Sequence, residues 1–447
     1  MDKMQNIYFL GIGGIGMSAL ARYFHNKGNR VSGYDKTPSP LTRKLEEEGI
    51  VIHYEDNPDM IPEDVDFVVL TPAIPKDSLE LNYLRKKDIK IIKRAEVLGE
   101  ISRQCKSIAV GGTHGKTTVT ALTTHLLNFA GKRMSAFVGG IAKNINSNVI
   151  IGDENDEIVV MEADEFDRSF LQLTPYISIV TSIDADHLDI YGDEQQLIDA
   201  FGQFADKTME DGVVIHSEYV SLQTERKRLT YGFDDADVMA KNVRIEDTMT
   251  KFTVVSKEGL CFGDYEMQLF GQHNVMNALA AIIACMRLGI NLSVIKEGLA
   301  TFQGVQRRFD IRFKDDKVCY IDDYAHHPEE IAATLKAVRN LFPEKELTLV
   351  FQPHLFTRTR DFMDGFANTL SLADRLLLME IYPARELPIP GITSSALLEK
   401  VTCREKQICQ KEELLDVLRN IKPELIVTMG AGDIDRFVPQ IETMLKS

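Results

Sequence analysis

Residues 108–120 read IAVGGTHGKTTVT, and this run narrows the possible folds more than any other in the chain. Three apolar residues, Ile108 to Val110, meet two glycines, and Gly115-Lys116-Thr117-Thr118 then opens a helical pattern. Strand, tight loop and helix N-terminus in that order belong to an α/β sheet, where the loop turns successive backbone N–H groups toward a phosphate. Lys116 is expected to reach the β- and γ-phosphates of ATP, and the Thr117 hydroxyl to sit on Mg²⁺. The spacing departs from G-x-x-x-x-G-K-[ST], because Val110 stands where the first glycine falls. The loop is a shorter G-T-H-G-K-T form, with Gly112, Thr113, His114, Gly115 and Thr118 as the other candidate nucleotide contacts. An ordinary strand-to-helix turn is the competing reading of this segment alone.

Around it, apolar strand-like runs alternate with helical patterns, which argues for an α/β chain with mainly parallel sheets. At 447 residues the chain has room for two to four domains, taking ~150 residues per domain. Three blocks are expected. Residues 1–104 form a Rossmann-like N-terminal domain, 105–309 a central P-loop ATPase-type domain with a mainly parallel sheet, and 310–447 a C-terminal doubly wound Rossmann-like domain. Smaller, partly antiparallel strands are expected over 230–270, a helix over 274–287, and a hinge near Gly304–Arg312.

The net charge of −16 argues against nucleic acid or an anionic membrane as the main partner. No apolar run approaches the ~18 residues of a membrane helix. The six cysteines form no C-x-x-C pair and no zinc-like spacing, so they read as buried thiols of a reducing compartment. The N-terminus enters a strand without signal-peptide architecture. A cytoplasmic protein is expected, with no nucleic acid and no membrane insertion, as a monomer or weak homodimer.

A second glycine-rich loop precedes the first in the chain. Gly11-Ile12-Gly13-Gly14-Ile15-Gly16 follows strand Ile7–Leu10, and Asp35 closes the next strand. Alone, this pattern suggests an NAD-dependent oxidoreductase. What the loop supplies physically is a pyrophosphate seat, which a UDP group fits equally well. Two phosphate loops suit one enzyme that binds two nucleotides; a dehydrogenase has no use for Lys116.

Strand Ile158–Met161 ends in Glu162-Ala163-Asp164-Glu165-Phe166-Asp167. A carboxylate at a strand end beside a phosphate loop is where Mg²⁺ is held in phosphoryl transfer, so Glu162 is the candidate ligand. His187, in Asp184-Ala185-Asp186-His187-Leu188-Asp189, is read either as a second metal ligand or as a structural hydrogen bonder. Asn274 and Asn277 share a helix face and could pair with the adenine edge, or else cap the helix. Arg307 and Arg308 lie in the hinge, where an arginine can meet the γ-phosphate.

GTHGKTT, EADEFD, DADHLD, GQHNVMNALAA, RRFD, DDYAHHPEEI and QPHLFTRTRD occur in that order. With them the chain resembles the Mur ligase family of peptidoglycan synthesis, from Gly11 to GAGDID at 430–435. The resemblance implies ATP- and Mg²⁺-dependent ligation, through an acyl phosphate, of L-alanine to UDP-N-acetylmuramic acid. A tripeptide-recycling ligase on the same sugar nucleotide is the rival within the family. The resemblance further implies that Gly11, Gly13, Gly14, Ile15, Gly16, Asp35, Thr71, Ala73 and Ile74 hold the UDP part. Lys116 and Thr117 take ATP and Mg²⁺, Glu162 one metal and His187 the second. Asn277 reads adenine with Asn274 in support, Arg308 meets phosphate and Asp323 takes the ATP ribose. Tyr324, His326, His354 and Arg358 surround the muramoyl carboxylate and the incoming alanine. Many family members carry a basic residue where Leu355 stands and glycine where Ala325 stands, so no substrate contact is assigned to 355. No carbamylated lysine is expected. His187, His326 and His354 are all candidates for the base that deprotonates the amine, and the third domain is expected to close over the second.

Overall fold

A computed structural model describes residues 4–446, apart from 154–155, 185–190, 192, 247 and 385. Three sheets build the three-domain α/β fold. The first contains β1 (Asn6–Leu10), β2 (Arg30–Tyr34), β3 (Val51–His53), β4 (Phe67–Leu70) and β5 (Ile91–Lys93), in the order β3-β2-β1-β4-β5. All its pairings are parallel. The central strand β1, NIYFL, is buried throughout, as expected of a parallel strand covered on both faces.

The second sheet contains β6 (Lys106–Gly111), β7 (Met134–Ala142), β8 (Ser147–Ile150), β9 (Ile158–Glu162), β10 (Ile177–Val180), β11 (Val213–Ser217), β12 (Arg228–Gly232), β13 (Val238–Glu246), β14 (Met249–Ser256) and β15 (Cys261–Met267). Their order is β15-β14-β13-β12-β11-β10-β6-β9-β7-β8. Strand β6 lies between β9 and β10, parallel to both. After β6 the chain builds β7, β8 and β9 on one side of it and then crosses to β10 and β11 on the other, so the carboxyl end of β6 lies at a topological switch point, where open α/β sheets place ligands. In 230–270 the expected smaller strands are present. Pairing of β12 with β13 is parallel, whereas residues 257–260 join neighbours β14 and β15 through a link short enough only for an antiparallel pair.

The third sheet contains β16 (Asp310–Lys314), β17 (Cys319–Asp323), β18 (Leu347–Phe351), β19 (Arg375–Leu378), β20 (Glu405–Ile408) and β21 (Leu425–Met429), in the order β16-β17-β21-β18-β19-β20. Only β16 runs antiparallel, against β17; the other pairings are parallel.

The chain gathers into two compact units: Met1–Glu246, Lys251–Met267 and Met276–Gln303 in one, and Asp247–Thr250, Gln268–Val275 and Gly304–Ser447 in the other. The first two sheets therefore share a unit, and the segment Gln268–Val275 gathers with the third sheet. There Phe270 packs against Phe309 at 6.0 Å between ring centroids, and the Thr250 hydroxyl donates to the Leu269 carbonyl. Within the first unit, Asn148 donates to the Ile15 carbonyl at 2.7 Å and Arg22 to the Ser147 hydroxyl at 2.8 Å, so the first two sheets are joined by polar contacts.

The helix expected at 274–287 spans Gln272–Arg287; Val275, Leu279, Ile282 and Ile283 are buried and Met286 is half-buried. The cysteines only partly follow expectation. Cys285, Cys319 and Cys409 are buried, Cys105 and Cys403 half-buried, and Cys261 exposed, because it opens the sheet-edge strand β15. None forms a disulfide. Among the described residues no helix is long and apolar enough to cross a membrane.

Candidate active site

The phosphate loop hangs from β6 between two strand ends. Register pairs Val110 with Glu162 on one side and Gly111 with Val180 on the other. Gly112, at φ +130°, leaves no room for a side chain: a Cβ there would lie 2.1 Å from the Thr181 hydroxyl. Gly115, at φ +83°, caps the helix Lys116–Phe129 without any side-chain hydrogen bond. Other helices in this unit are capped conventionally, by Ser78, Asp193 and Asn291. A glycine cap leaves the first-turn amides free for an anion.

Segment 181–184 shapes the loop from beneath. Thr113 N–H donates to the Ser182 carbonyl at 3.0 Å, and His114 N–H to the Ser182 hydroxyl at 3.0 Å. Asp184 N–H donates to the Thr113 hydroxyl at 2.9 Å, and the Asp184 carboxylate lies 3.5 Å from the His114 imidazole. Lys116 turns back on the loop: its Nζ donates to the Gly112 carbonyl at 2.6 Å and to both Glu165 oxygens at 2.8 and 2.9 Å. Burial opposes the charge on Lys116, but Glu165 and Asp164 hold its pKa above the ordinary value. Burial pushes the Glu165 carboxyl up despite the lysine. Thr117 and Thr118 are buried in the first turn of the helix. Glu162 ends β9 and accepts the Gly139 N–H at 2.7 Å.

Asn277 is buried beside the nucleotide loop. A Cβ on Gly115 would lie 2.6 Å from its Oδ1, so this amide abuts the phosphate loop. Asn274 donates its amide to the Phe270 carbonyl at 2.8 Å. His187, the expected second metal ligand, lies outside the described residues.

The first glycine loop is built on the same plan. Gly14 caps the helix Ile15–Asn26, again without a side-chain bond. Gly11, at φ +84°, packs so closely on Thr71 that a Cβ would lie 2.5 Å from its methyl group, with Ile74 next nearest. Thr71, Ala73 and Ile74 form the expected turn, closed by Ile74 N–H to the Thr71 carbonyl at 3.3 Å. The Asp35 carboxylate accepts Gly13 N–H at 2.8 Å and Thr37 N–H at 3.2 Å. Sequence reasoning missed Arg94. Its guanidinium covers Gly16, where a Cβ would meet it at 2.1 Å, and pairs with Asp164 at 3.1 Å. Only the fold brings these two positions together.

In the second unit the expected residues of the third domain form one cluster. Arg307, at φ +62°, and Phe309, at φ +45°, place two left-handed non-glycine residues on either side of Arg308. The Tyr324 ring lies 5.0 Å from the Arg307 guanidinium and 5.1 Å from that of Arg308. Asp323 is buried; its carboxylate accepts Phe309 N–H and Ala325 N–H, each at 2.7 Å. Burial raises its pKa to about 6, with Arg308 opposing. Ala325 takes no left-handed backbone, so a side chain there costs nothing. Leu355, at φ +71°, does carry that strain, just before the helix Phe356–Asp361 that holds Arg358.

His326 stands edge-on to Tyr324 at 5.2 Å and to His354 at 6.2 Å, and His354 stacks on Tyr382 at 5.8 Å. Burial lowers the pKa of His326 to about 4; Glu330 opposes this and Arg358 adds to it. Sequence reasoning also passed over Glu330, although its i,i+4 spacing from His326 at a helix start is a usable signal.

Two glycine-capped helix starts, one with a half-buried lysine and a strand-end carboxylate beside it, define a nucleotide-using α/β enzyme. Comparison with known proteins narrows the class. The family models described as Mur ligase family, catalytic domain, Mur ligase middle domain, and Mur ligase, glutamate ligase domain match residues 6–106, 110–285 and 307–432. UDP-N-acetylmuramate–L-alanine ligase of Cytophaga hutchinsonii is 46% identical, over 99% of this chain and 97% of its own length. The crystal structure of UDP-N-acetylmuramate–alanine ligase from Thermotoga maritima superposes with a TM-score of 0.87 at 29% identity, covering 99% of each chain. A murein peptide ligase from Psychrobacter arcticus shares the fold, with a TM-score of 0.74 at 22% identity over 99% of this chain and 98% of that one. The chain belongs to the Mur ligase family. It is an ATP-dependent ligase that forms an amide bond.

Proposed function

We propose that this protein joins L-alanine to the lactyl carboxylate of UDP-N-acetylmuramic acid, giving UDP-N-acetylmuramoyl-L-alanine, ADP and phosphate. The observation that carries this reading is the 46% identity, end to end, with an alanine-adding ligase. Likeness to the murein peptide ligase, at 22% identity, speaks only to the fold.

The chemistry follows from the cations and the seats. A carboxylate cannot acylate an amine until its oxygen becomes a leaving group. Its oxygen attacks the γ-phosphorus, the bond to the ADP oxygen breaks, and an acyl phosphate forms. The ammonium of alanine gives up a proton to a base, the free amine attacks the acyl carbon, the adduct sheds a second proton, and phosphate departs with the bonding electrons. Because two anions meet in the first step, fixed positive charge is needed there. Lys116 supplies it by exchanging Glu165 for phosphate, and Arg308 is the second cation. Thr117 and Glu162 offer a hydroxyl and a carboxylate, the oxygen donors Mg²⁺ takes. They would hold that ion, which when bound neutralises phosphate charge. His187 is proposed for a second Mg²⁺. His114 borders the phosphates with Gly112, Thr113, Gly115 and Thr118, and Asn277, beside Gly115, reads adenine with Asn274 in support. Asp323 keeps lone pairs for the ribose while bracing Phe309 and Ala325.

On this reading residues 1–104 bind the UDP group, 105–309 bind ATP, and 310–447 supply the amino-acid site. Gly11, Gly13, Gly14, Ile15 and Gly16 seat the diphosphate, with Asp35, Thr71, Ala73 and Ile74 at its flank. Tyr324, His326, His354 and Arg358 take the muramoyl carboxylate and alanine. The test is phosphate release with ATP, UDP-N-acetylmuramic acid and L-alanine, omitting each in turn. Release is expected only with all three. Turnover that ignores the sugar nucleotide, or that a tripeptide supports better than L-alanine, refutes the proposal.

A further inference from the structure

We propose that Glu330 is a positioning residue for amide formation: it holds His326 with Nε2 open as the proton acceptor for the incoming amine. This rests on the ligase reading above and concerns only its second step. Glu330 lies in the first turn of the helix Pro328–Leu341, where Pro328 pre-sets the backbone and the helix dipole favours a carboxylate. Its Oε2 accepts the His326 backbone N–H at 3.0 Å and lies 3.2 Å from the His326 Nδ1. The same Nδ1 lies 3.0 Å from the Tyr324 carbonyl. Both neighbours of Nδ1 are acceptors, so the hydrogen of the neutral ring belongs on Nδ1 and the lone pair on Nε2. Nε2 makes no hydrogen bond among the described residues.

The other charged and titratable groups facing His326 are Arg308, Arg358, His354 and the Tyr324 phenol. Burial depresses the basicity of the imidazole most, both arginines add to it, and Glu330 is the anion that opposes them. Its Oε1 lies 4.0 Å from Arg308 as well. The cations needed for the phosphoryl step would weaken a nearby base, and Glu330 lets the two functions sit side by side. A base closer to neutrality accepts a proton more effectively.

The test is kcat/KM for L-alanine in wild type and Glu330→Gln across pH, at saturating ATP and UDP-N-acetylmuramic acid. Glu330→Gln is expected to lose about tenfold or more at neutral pH. The deficit should shrink as pH approaches the pKa of alanine's own amine, because a deprotonated nucleophile needs no base. His326→Asn combined with Glu330→Gln should be no worse than His326→Asn alone. Glu330→Asp, which retains the charge, should recover part of the rate; it also carries the test if the glutamine variant does not fold. A deficit that stays constant with pH, or losses that multiply in the double variant, overturns the proposal. Failure of the ligase reading is seen separately, in wild type, as phosphate release without alanine.

Discussion

In the loop at 11–16, Gly14 caps the helix Ile15–Asn26; in the loop at 112–117, Gly115 caps the helix Lys116–Phe129, and neither cap receives a side-chain bond. The backbone plan is shared, but the side chains around it differ. Beside the first loop stand Asp35, on the Gly13 amide, and Arg94, over Gly16. Beside the second stand Lys116, Glu165, Thr117 and the strand-end carboxylate of Glu162. Backbone amides at a helix start recognise a phosphate. Converting recognition into transfer takes a cation that can follow the moving phosphoryl group, and only the second loop has one within it. The comparison predicts that damage to the second loop stops turnover and damage to the first weakens capture.

The largest effect expected is from Lys116→Ala. Removing a cation aimed at developing charge commonly costs ~10²–10³ in rate. Phosphate release should fall by that order, while calorimetric affinity for UDP-N-acetylmuramic acid stays within about twofold. Equal loss of both would break the division of labour. Burial already favours the protonated form of Glu165, so the carboxyl left behind can shed its charge, and a melting curve should show a folded variant.

Next is a matched pair of glycines. Gly115→Ala must place a side chain at φ +83° and 2.6 Å from Asn277. A left-handed alanine costs ~1–2 kcal/mol before any clash, so KM for ATP should rise about tenfold or more. Gly14 lies at φ −63°, and a Cβ added there would meet no atom nearer than 3.6 Å, so Gly14→Ala should fold normally. Any effect there should fall on KM for the sugar nucleotide and not on KM for ATP.

Much of this contrast is legible in the sequence. Both loops, the strands feeding them and Glu162 at the end of β9 show as local patterns of apolar runs followed by glycine or acid. What the pattern does not show is contact between distant segments. Glu165 stands three residues beyond Glu162 in an acidic run, and nothing local marks it as the partner of Lys116. Arg94 and Asp184 gain their neighbours only when the sheets assemble. Helix spacing puts Asn274 and Asn277 on one face, yet it does not reveal that Asn277 lies against Gly115. Likewise nothing local marks Asp323 as the acceptor of the Phe309 and Ala325 amides.

A smaller effect is expected at Asp35. Its carboxylate holds the Gly13 amide at 2.8 Å through a charge-assisted bond. Asp35→Asn keeps an acceptor and loses the charge, so KM for UDP-N-acetylmuramic acid should rise about threefold to tenfold, with kcat and KM for ATP unchanged. A fall in kcat of the same size would mean that the first loop also orients the reacting carboxylate.

The smallest effect is at Arg94, the residue that touches both halves of the comparison. It covers the first loop at Gly16 and pairs with Asp164, two residues beyond Glu162. If this pair tied the two loops together energetically, its loss would change both substrates' constants at once. The physical case is weaker. The side chains are 25% and 40% exposed, and half-exposed ion pairs contribute about 0–1 kcal/mol. Arg94→Ala should therefore raise KM for the sugar nucleotide less than about fivefold and leave KM for ATP alone. Combined with Asp35→Asn, which acts on the same loop, the losses should fall short of their product. Combined with Gly115→Ala they should multiply, because residues without a shared partner add in free energy. Coupling between Arg94 and Gly115 would show instead that the two phosphate seats work as one.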